Sequence, residues 1–265
     1  MFSSTEPRQL SVEDEEKLAK QEVASEFKRL KLEREARANW DRFYKRNKDN
    51  FFKDRNWSSI DIQEAFSHLD LSKRLTYLEA GCGVGNMLFP LAEAFPHWRF
   101  QALDFSANAV SLLKERGKDS ALEVAACECD LTENHDQPPF GVQADIATLI
   151  YVVSGIHPEK HAQVARNMLQ MIKHGGALIV RDYAVNDHAM VRFRRASKLD
   201  ERFYARQDGT RAFFFTIEEV CAPFEAAGFR RERAEYLHRR TVNHGKGVDI
   251  PRVFVQALFV RPIEE

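Results

Sequence analysis

The stretch at residues 77–91, YLEAGCGVGNMLFPL, contains the feature that decides the fold. An apolar run ends near an acid, three glycines then alternate with small residues, and a second apolar run follows. This pattern predicts a strand, a tight turn and a helix, an arrangement that brings backbone close to a ligand in doubly wound folds. The spacing G-x-G-x-G differs from the dinucleotide-binding G-x-G-x-x-G, and the Gly-Lys-Ser/Thr of a P-loop is missing. We therefore expect a ligand without a pyrophosphate or triphosphate.

The chain downstream of residue 75 continues this alternation of short apolar runs with helical stretches. It predicts an α/β fold with a mostly parallel, seven-stranded sheet that carries helices on both faces. A helix over about 217–227 and two closing antiparallel strands complete a predicted domain over residues 58–265. The apolar runs are LTYLEA, RFQALD, ALEVAA, ADIATLIYVV and GALIVRDY, and the closing strands are RRERAEYLHRRTV and RVFVQALFV.

Residues 1–57 are predicted to form a helical extension that precedes this domain. Residues 11–47 show one long helical pattern with at most one break. Trp40, Phe43 and Tyr44 fall at i, i+3 and i+4 and therefore share one helix face, for which the pattern alone indicates packing. The stretch NFFKDRNW at residues 50–57 closes the extension.

The charges are partitioned along the chain although the formal net charge is only -1. Residues 28–55 carry a net +6, residues 56–180 a net -6 and residues 181–252 a net +4. If the two basic flanks meet on one face, that face attracts a polyanion; otherwise they are solvated helix faces.

Cysteine usage and hydropathy bear on the compartment. The 4 cysteines have no C-x-x-C pair and no spacing typical of zinc sites, so we expect no metal and a reducing compartment. The expected location is the cytoplasm, with the nucleus as a second candidate. No run approaches 18 apolar residues, so we expect no membrane span.

Three acids near the ends of predicted strands define the expected ligand. Asp104 closes the second strand, where an acid accepts hydrogen bonds from ribose hydroxyls. Asp130 closes the third strand, where an acid accepts from an adenine amino group, and Glu79 precedes the glycines, where it faces an amino group. A ligand with ribose, adenine and an amino acid but no phosphate is S-adenosylmethionine. The competing interpretation is a plain strand-helix connection with ordinary strand-end acids.

The methyl acceptor is less directly indicated. Residues 150–153 read IYVV where enzymes that methylate exocyclic amines often carry Asn/Asp-Pro-Pro-aromatic, and no cysteine for carbon-5 methylation lies near in sequence. This favours an acceptor with a lone pair, such as a ring nitrogen of a base. Asp182 could stabilise the charge on such a nitrogen, or could pair with an arginine. Arg206 and Arg211, interleaved with aromatics, could clamp phosphates and a splayed base, or simply pack.

Together the motifs resemble the eukaryotic methyltransferase-like enzymes that form 3-methylcytidine in tRNA, over about residues 13–262. The stretches that carry this resemblance are NWDRFYKRN, NFFKDRNW, LEAGCGVGN, RDYAVNDHAMVRF, FYARQDGTRAFFF and PRVFVQ. The wording LEAGCGVGN, DHAM and RQDGTR is closest to the branch that modifies serine tRNAs with the help of seryl-tRNA synthetase. Ala184 and Asn186 depart from the family's RDYG-x-YD pattern, which puts the conformation of that loop in question.

The resemblance implies a class I S-adenosylmethionine-dependent methyltransferase fold with a helical N-terminal extension. It implies a target cytidine at position 32 of the anticodon loop, and S-adenosylhomocysteine as the second product. The expected cofactor-binding residues are Trp40, Tyr44, Glu79, Gly81, Gly83, Gly85, Asp104, Phe105, Asp130, Leu131 and Ile150. The expected residues on the acceptor side are Asp182, Arg206, Asp208 and Arg211. Two other hypotheses stay open, a methyltransferase for a small molecule or protein and an inactive RNA- or synthetase-binding adaptor.

Overall fold

The computed structural model describes residues 2–48, 58–66, 69–119, 122–194, 196–243, 245 and 248–263. The NFFKDRNW stretch and the end of the predicted extension lie outside these residues. The division into 1–57 and 58–265 therefore stays a prediction. None of the helices in the described part of the chain is long and apolar enough to cross a membrane.

The secondary structure alternates between strands and helices as expected. The strands are β1 (Phe2–Ser4), β2 (Thr76–Ala80), β3 (Arg99–Asp104), β4 (Val124–Glu128), β5 (Ala144–Ile150), β6 (Ile172–Tyr183), β7 (Lys198–Asp200), β8 (Phe203–Ala205), β9 (Arg211–Phe213), β10 (Arg230–Asn243) and β11 (Val248–Val260). The α-helices are α1 (Val12–Ala19), α2 (Glu26–Arg34), α3 (Ala36–Asn47), α4 (Ser58–Ala65), α5 (Leu88–Ala94), α6 (Ala107–Asp119), α7 (His161–Met171), α8 (His188–Val191) and α9 (Ile217–Ala227). Two 3-10 turns, Val153–Gly155 and Pro158–Lys160, follow β5.

The main sheet has the order β1-β10-β11-β6-β5-β2-β3-β4 in the described residues. Strands β2 to β6 are mutually parallel, and β11 and β10 close the sheet in antiparallel fashion. The predicted doubly wound arrangement of seven strands is confirmed. An eighth strand, β1, extends it by pairing antiparallel with β10, Phe2 opposite His238. A strand of 3 residues is too short to show an alternating pattern, so the sequence did not predict it.

Alternation along the parallel strands divides the core between the two faces of the sheet. Tyr77 and Ile179 belong to one buried cluster, whereas their neighbours Leu78 and Leu178 belong to the other. Because side chains point to opposite faces at every step, each run of apolar residues fills both layers. Because strands β2 to β6 are parallel, they end at the same edge of the sheet, where their carboxyl-terminal residues are available for a ligand.

The N-terminal helices are interrupted twice, so the prediction of at most one break was wrong. Between α1 and α2 the chain forms an isolated bridge from Val23 to Lys198, and the amide of Ala24 donates to the Lys198 carbonyl at 2.7 Å. Ser25 then caps α2. A second break at Glu35 separates α2 from α3. Tertiary pairing with β7 therefore overrides the local helical pattern.

The hairpin of β10 and β11 extends beyond the rest of the sheet. The last pair between β11 and β6 joins Phe254 to Tyr183, at the carboxyl end of β6. In the described residues, the strand partners of residues 248–253 of β11 are residues 238–243 of β10, and the Val253 carbonyl also accepts from the Ala184 amide at 3.3 Å. We call these twelve residues the overhang, and it projects past the edge at which the parallel strands end.

Candidate active site

Two adjoining cavities lie at the carboxyl edge of the parallel strands. The first has a volume of about 430 Å³ and the second about 240 Å³. The residues that line both are Trp40, Tyr44, Gly81, Tyr151 and Arg211. Of the other residues predicted from sequence, Asp104, Phe105, Asp130 and Leu131 line the first cavity, and Glu79, Gly83, Ile150, Arg206 and Asp208 line the second. Gly85 and Asp182 line neither.

The glycine turn fits closely under its neighbours. Gly81 and Gly83 have φ angles of +71° and +53°. A Cβ atom at Gly81 would lie 2.4 Å from Val152 Cγ2, and one at Gly83 would lie 2.8 Å from the Tyr44 hydroxyl. Only glycine combines this backbone conformation with such contacts. Gly85 has a different role, because its Cα faces Phe89 in the core rather than the cavities.

Asp104 is buried at the end of β3 and connects the turn to the next helix. Its Oδ2 accepts from the Gly83 amide at 2.9 Å, and its Oδ1 accepts from the Ser106 amide at 2.9 Å. Burial raises the pKa of this carboxyl to about 6, although the two amide hydrogen bonds oppose the shift. Asp104 is therefore an anionic acceptor at neutral pH that loses its charge in mildly acidic solution.

Cofactor affinity is consequently expected to fall below pH about 6. Ribose hydroxyls that donate to Asp104 favour its charged form, so the bound state has a lower pKa than the free protein and binding releases a proton. The decrease approaches about tenfold per pH unit. Calorimetric titration of S-adenosylhomocysteine between pH 5 and 8, in buffers of different ionisation enthalpy, measures both the affinity and the proton. Unchanged affinity with no proton release would contradict this role.

Asp130 holds the far side of the first cavity. Its Oδ1 accepts from the Thr132 amide at 2.9 Å and from the Thr132 hydroxyl at 2.8 Å. Its Oδ2 lies 3.4 Å from Arg37 Nη2, and the other nitrogen, Nη1, of that guanidinium donates to Glu128 at 2.7 Å. The carboxylate is thus fixed in orientation by its own loop and by helix α3.

The second cavity contains a cysteine that the sequence did not place there. Cys82 lines it, next to Glu79. Burial raises the pKa of the Cys82 thiol well above its ordinary value, and the nearby Asp104 and Glu79 carboxyls raise it further. Its Sγ lies 3.6 Å from the Gly83 carbonyl. The expectation from sequence that no cysteine lies near the acceptor was therefore wrong at Cys82. A thiol that stays protonated is nevertheless a poor nucleophile.

Helix α3 covers both cavities. The Trp40 and Tyr44 rings stack with centroids 5.9 Å apart, on the face that the sequence predicted. Asp41 accepts from the Ser106 hydroxyl at 2.5 Å, which fastens α3 to the start of α6. On the other side, Asn39 Nδ2 donates to the Gly209 carbonyl at 3.0 Å. The helix is therefore attached at both sides of the space that it covers.

The turn at residues 206–211 lines the second cavity together with the glycine turn. Asp208 Oδ1 accepts from the Thr210 amide at 2.9 Å and from its hydroxyl at 2.7 Å, so Asp208 stabilises the turn. Arg206 Nη1 donates to the Arg211 carbonyl at 2.7 Å, and its guanidinium lies 5.4 Å from the centroid of the Tyr183 ring. Two residues of this turn, Arg206 and Arg211, bring cations to the cavity, and of these Arg211 is paired with the Glu33 carboxylate.

Arg211 is buried in an ion-pair cluster that the sequence did not predict. It donates to the Glu33 carboxylate on α2 and to the Gly155 carbonyl at 3.1 Å. Lys160 Nζ lies 2.6 Å from the other oxygen of Glu33. Partial burial by itself raises the pKa of Glu33, but the bonds from Lys160 and Arg211 outweigh it and lower that pKa. The cluster joins α2 to the two sides of the first cavity.

Asp182 is fully buried behind the second cavity. Its Oδ2 accepts from the Ser154 amide at 2.9 Å, and Ser154 itself lines the cavity. Burial raises the pKa of Asp182 to about 6, against the lowering effect of its hydrogen bonds and of Arg206. Asp182 therefore orients the turn after β5 and places a carboxylate one residue away from the cavity.

The departure at Ala184 and Asn186 has a structural explanation. Asn186 has a φ angle of +63°, which asparagine tolerates better than most residues. Its side-chain amide donates to the Arg8 carbonyl at 2.8 Å, and Arg8 Nε donates to the Asn186 carbonyl at 2.7 Å. The loop that follows β6 is therefore held by the N-terminal segment. Ala184 is buried in a bridge to Phe215.

The carboxylates that line the two cavities fit S-adenosylmethionine. Carboxylates at two strand ends, Asp104 and Asp130, line one cavity under an aromatic cover, and a third, Glu79, lines the adjoining smaller cavity. Such acceptors suit a ribose diol, an adenine amine and an ammonium group respectively. Within the described residues, no group of three or more His, Cys, Asp or Glu side chains could hold a metal ion.

Comparisons with known proteins agree with this site. The family described as "Methyltransferase domain" matches residues 78–178. The chain is 47% identical to the mouse tRNA N(3)-cytidine methyltransferase METTL6, over 96% of this chain and 92% of the mouse protein.

The human protein of the same name is 44% identical, over 96% of this chain and 91% of its own length. A 1,6-didemethyltoxoflavin-N1-methyltransferase from Burkholderia thailandensis, solved with S-adenosylhomocysteine, shares the fold at a TM-score of 0.58 and 14% identity, over 91% of this chain and 92% of that one. With such identity over nearly the whole length, the protein belongs to the family of tRNA N(3)-cytidine methyltransferases.

Proposed function

We propose that the protein methylates N3 of the cytidine at position 32 in the anticodon loop of serine tRNAs, with S-adenosylmethionine as the methyl donor. The observation that carries this proposal is the second cavity, which is lined by residues of both the glycine turn and the 206–211 turn. The two motifs that the sequence tied to cofactor and acceptor therefore face the same space.

The aromatic and cationic groups of this cavity suit a splayed base. The Tyr151 and Tyr183 rings lie 5.2 Å apart, and Arg206 lies over the Tyr183 ring. Flat rings and a guanidinium are the surfaces on which unstacked bases rest in RNA-binding proteins. A cytidine inserted here would be oriented by stacking, without any need for a cysteine nucleophile.

The reaction requires the cytidine to be oriented toward the methyl donor, and it requires the positive charge of the methylated ring to be stabilised. When bound, S-adenosylmethionine would supply an electrophilic methyl group. The N3 lone pair is unprotonated at neutral pH, so no strong general base is required. Asp182, held behind Ser154, supplies negative charge toward the methylated ring, and α3 excludes water from the site.

Serine tRNAs and a contribution from seryl-tRNA synthetase are proposed from the wording of the motifs. LEAGCGVGN, DHAM and RQDGTR are the forms typical of the branch that acts on serine tRNAs. RQDGTR is also the stretch whose turn forms a wall of the second cavity. The synthetase would then present the tRNA rather than contribute to the chemistry.

The decisive measurement is nucleoside mass spectrometry of serine tRNA incubated with the protein and S-adenosylmethionine. The tRNA is tested with and without seryl-tRNA synthetase, beside an Asp104→Ala control. We expect 3-methylcytidine at position 32 with the native chain and none with the variant, because Asp104 holds the glycine turn and is the proposed acceptor for the cofactor's ribose.

Other outcomes separate the competing functions. Cofactor binding without a modified tRNA would favour a small molecule or protein as the acceptor. An absence of cofactor binding, with tRNA binding retained, would favour an inactive adaptor. Product in threonine rather than serine tRNA would overturn the branch assignment while leaving the activity in place.

A further inference from the structure

A third cavity, of about 450 Å³, lies beside the proposed acceptor site. One wall is formed by α8 and the residues that follow it, and the other by Thr241 and Ile250 of the overhang. Four arginines line it, Arg192, Arg194, Arg206 and Arg252, and we call it the arginine cavity. Among the residues that the structure describes, its lining contains no Asp or Glu.

Most of this positive charge is not compensated. Arg252 is neutralised by Asp187, with Nε 2.9 Å from Oδ2. Arg192 and Arg194 are exposed, and within the described residues their side chains have no hydrogen bond or ion pair. Arg192, Arg194 and Arg206 therefore leave net positive charge around one concave space, although the buried Asp182 carboxyl offsets part of the charge of Arg206. Such a space attracts an anion.

Arg206 connects this cavity to the acceptor site, because it lines both. Its Nη1 donates to neutral oxygens, the Thr210 hydroxyl at 3.3 Å and the Arg211 carbonyl at 2.7 Å. A ligand that occupies both cavities therefore passes this one guanidinium. An RNA strand does so naturally if its base enters one cavity and the neighbouring phosphate lies in the other.

The arginines stand on a rigid base. Phe193, between Arg192 and Arg194, stacks on the Tyr204 ring with centroids 4.6 Å apart and an interplanar angle of 14°. It also meets the Phe214 ring edge-on at 6.0 Å. Because its aromatic neighbours fix Phe193, the backbone that carries both arginines is positioned before a ligand arrives.

We propose that the arginine cavity binds a backbone phosphate of the RNA loop, adjoining the nucleotide whose base enters the second cavity. The proposal rests on the proposed function in taking RNA as the substrate. Arg192 and Arg194 contact the phosphate, and Arg206 lies between it and the target base. These contacts fix the register of the loop and read no base.

The test uses the Arg192→Gln/Arg194→Gln double variant and a fluorescent anticodon stem-loop. Fluorescence anisotropy over a series of salt concentrations should show weaker binding, and the slope of log Kd against log salt should fall by about 1, as expected for the loss of one phosphate contact. Arg99→Gln is the control, because it makes the same Arg→Gln change once, at the amino end of β3, on the opposite edge of the sheet. It should leave the slope unchanged. Calorimetry with S-adenosylhomocysteine shows whether the double variant remains folded.

A second measurement locates the phosphate. Neutral methylphosphonate linkages are placed one at a time on either side of the target cytidine. We expect one position to weaken binding to the native protein and to have no further effect on the double variant. The proposal is overturned if the double variant behaves like Arg99→Gln, or if every methylphosphonate effect persists in it. Anisotropy does not require turnover, so failure here is distinguishable from an absence of methylation, which would overturn the proposed function.

Discussion

Asp104→Asn is expected to weaken S-adenosylhomocysteine binding by about 100-fold. Both carboxylate oxygens accept backbone amides, from Gly83 and Ser106. An asparagine can accept only one of these and turns its amino group toward the other, which displaces the glycine turn. The charged acceptor for the ribose is lost as well. At about 1.5–3 kcal/mol for a hydrogen bond to a charged group, these losses amount to roughly two orders of magnitude. Isothermal titration calorimetry measures the effect.

The control separates cofactor binding from folding. A neutral residue at position 104 avoids the cost of burying a charged carboxylate, the same cost that raises the pKa of Asp104. Thermal unfolding of the variant should therefore occur near the native temperature. Asp130→Asn is the comparison, since Thr132 and Arg37 hold that side chain from outside the glycine turn. We expect it to lose less affinity. Equal losses for the two variants would mean that Asp104 acts only as one ribose or adenine contact among several.

Arg211→Gln and Glu33→Gln are expected to be strongly coupled. Each single change leaves its partner partly buried without its ion pair, and Glu33 then depends on Lys160 alone. We expect each to lower the free energy of unfolding by about 2 kcal/mol. The double variant should cost little more, which gives a coupling energy above about 1 kcal/mol. Urea unfolding of the four proteins measures the coupling, and the dissociation rate of S-adenosylhomocysteine should rise in all three variants.

The matched control is the pair Lys17 and Glu13, which is exposed on α1 with the atoms 2.6 Å apart. An exposed pair at this spacing contributes about 0.3–0.5 kcal/mol, so its cycle should show little coupling. Additive effects at Arg211 and Glu33, with an unchanged dissociation rate, would contradict the conclusion that this ion pair holds helix α2 in place over the cofactor cavity. If turnover of tRNA then fell without a change in stability, Arg211 would act in the acceptor clamp predicted from sequence.

Local patterns were sufficient to predict the parallel strands and the turn between them. The apolar runs within residues 77–91 and farther along the chain each fill two layers. Their short apolar pattern and the turn residues beside them therefore identify them as strands without knowledge of the segments that pack against them. The positions of Asp104 and Asp130 follow, because parallel strands end at one edge. The resemblance added Trp40 and Tyr44, whose shared face was visible but whose place over the glycine turn was not.

Contacts between distant segments could not be predicted in this way. Glu33 and Arg211 are separated by 178 positions, and neither has a neighbour in sequence that identifies the other. Asp182 stands at a strand end like Asp104, yet it lines no cavity because its backbone partners lie in the turn after β5. Strand β1 was not predicted, because 3 residues are too few to show an alternating hydrophobic pattern.

The hydrogen bond from Asn39 to Gly209 ties helix α3 to the turn at residues 206–211 across 170 positions. Two stretches so connected cannot drift independently during evolution, because a change in one alters the shape that the other must match. Substitutions in NWDRFYKRN should therefore be accompanied by substitutions in RQDGTR when relatives diverge. Likewise, transplanting only the turn into another methyltransferase would transfer the amino-acid sequence of the motif without the conformation that α3 maintains.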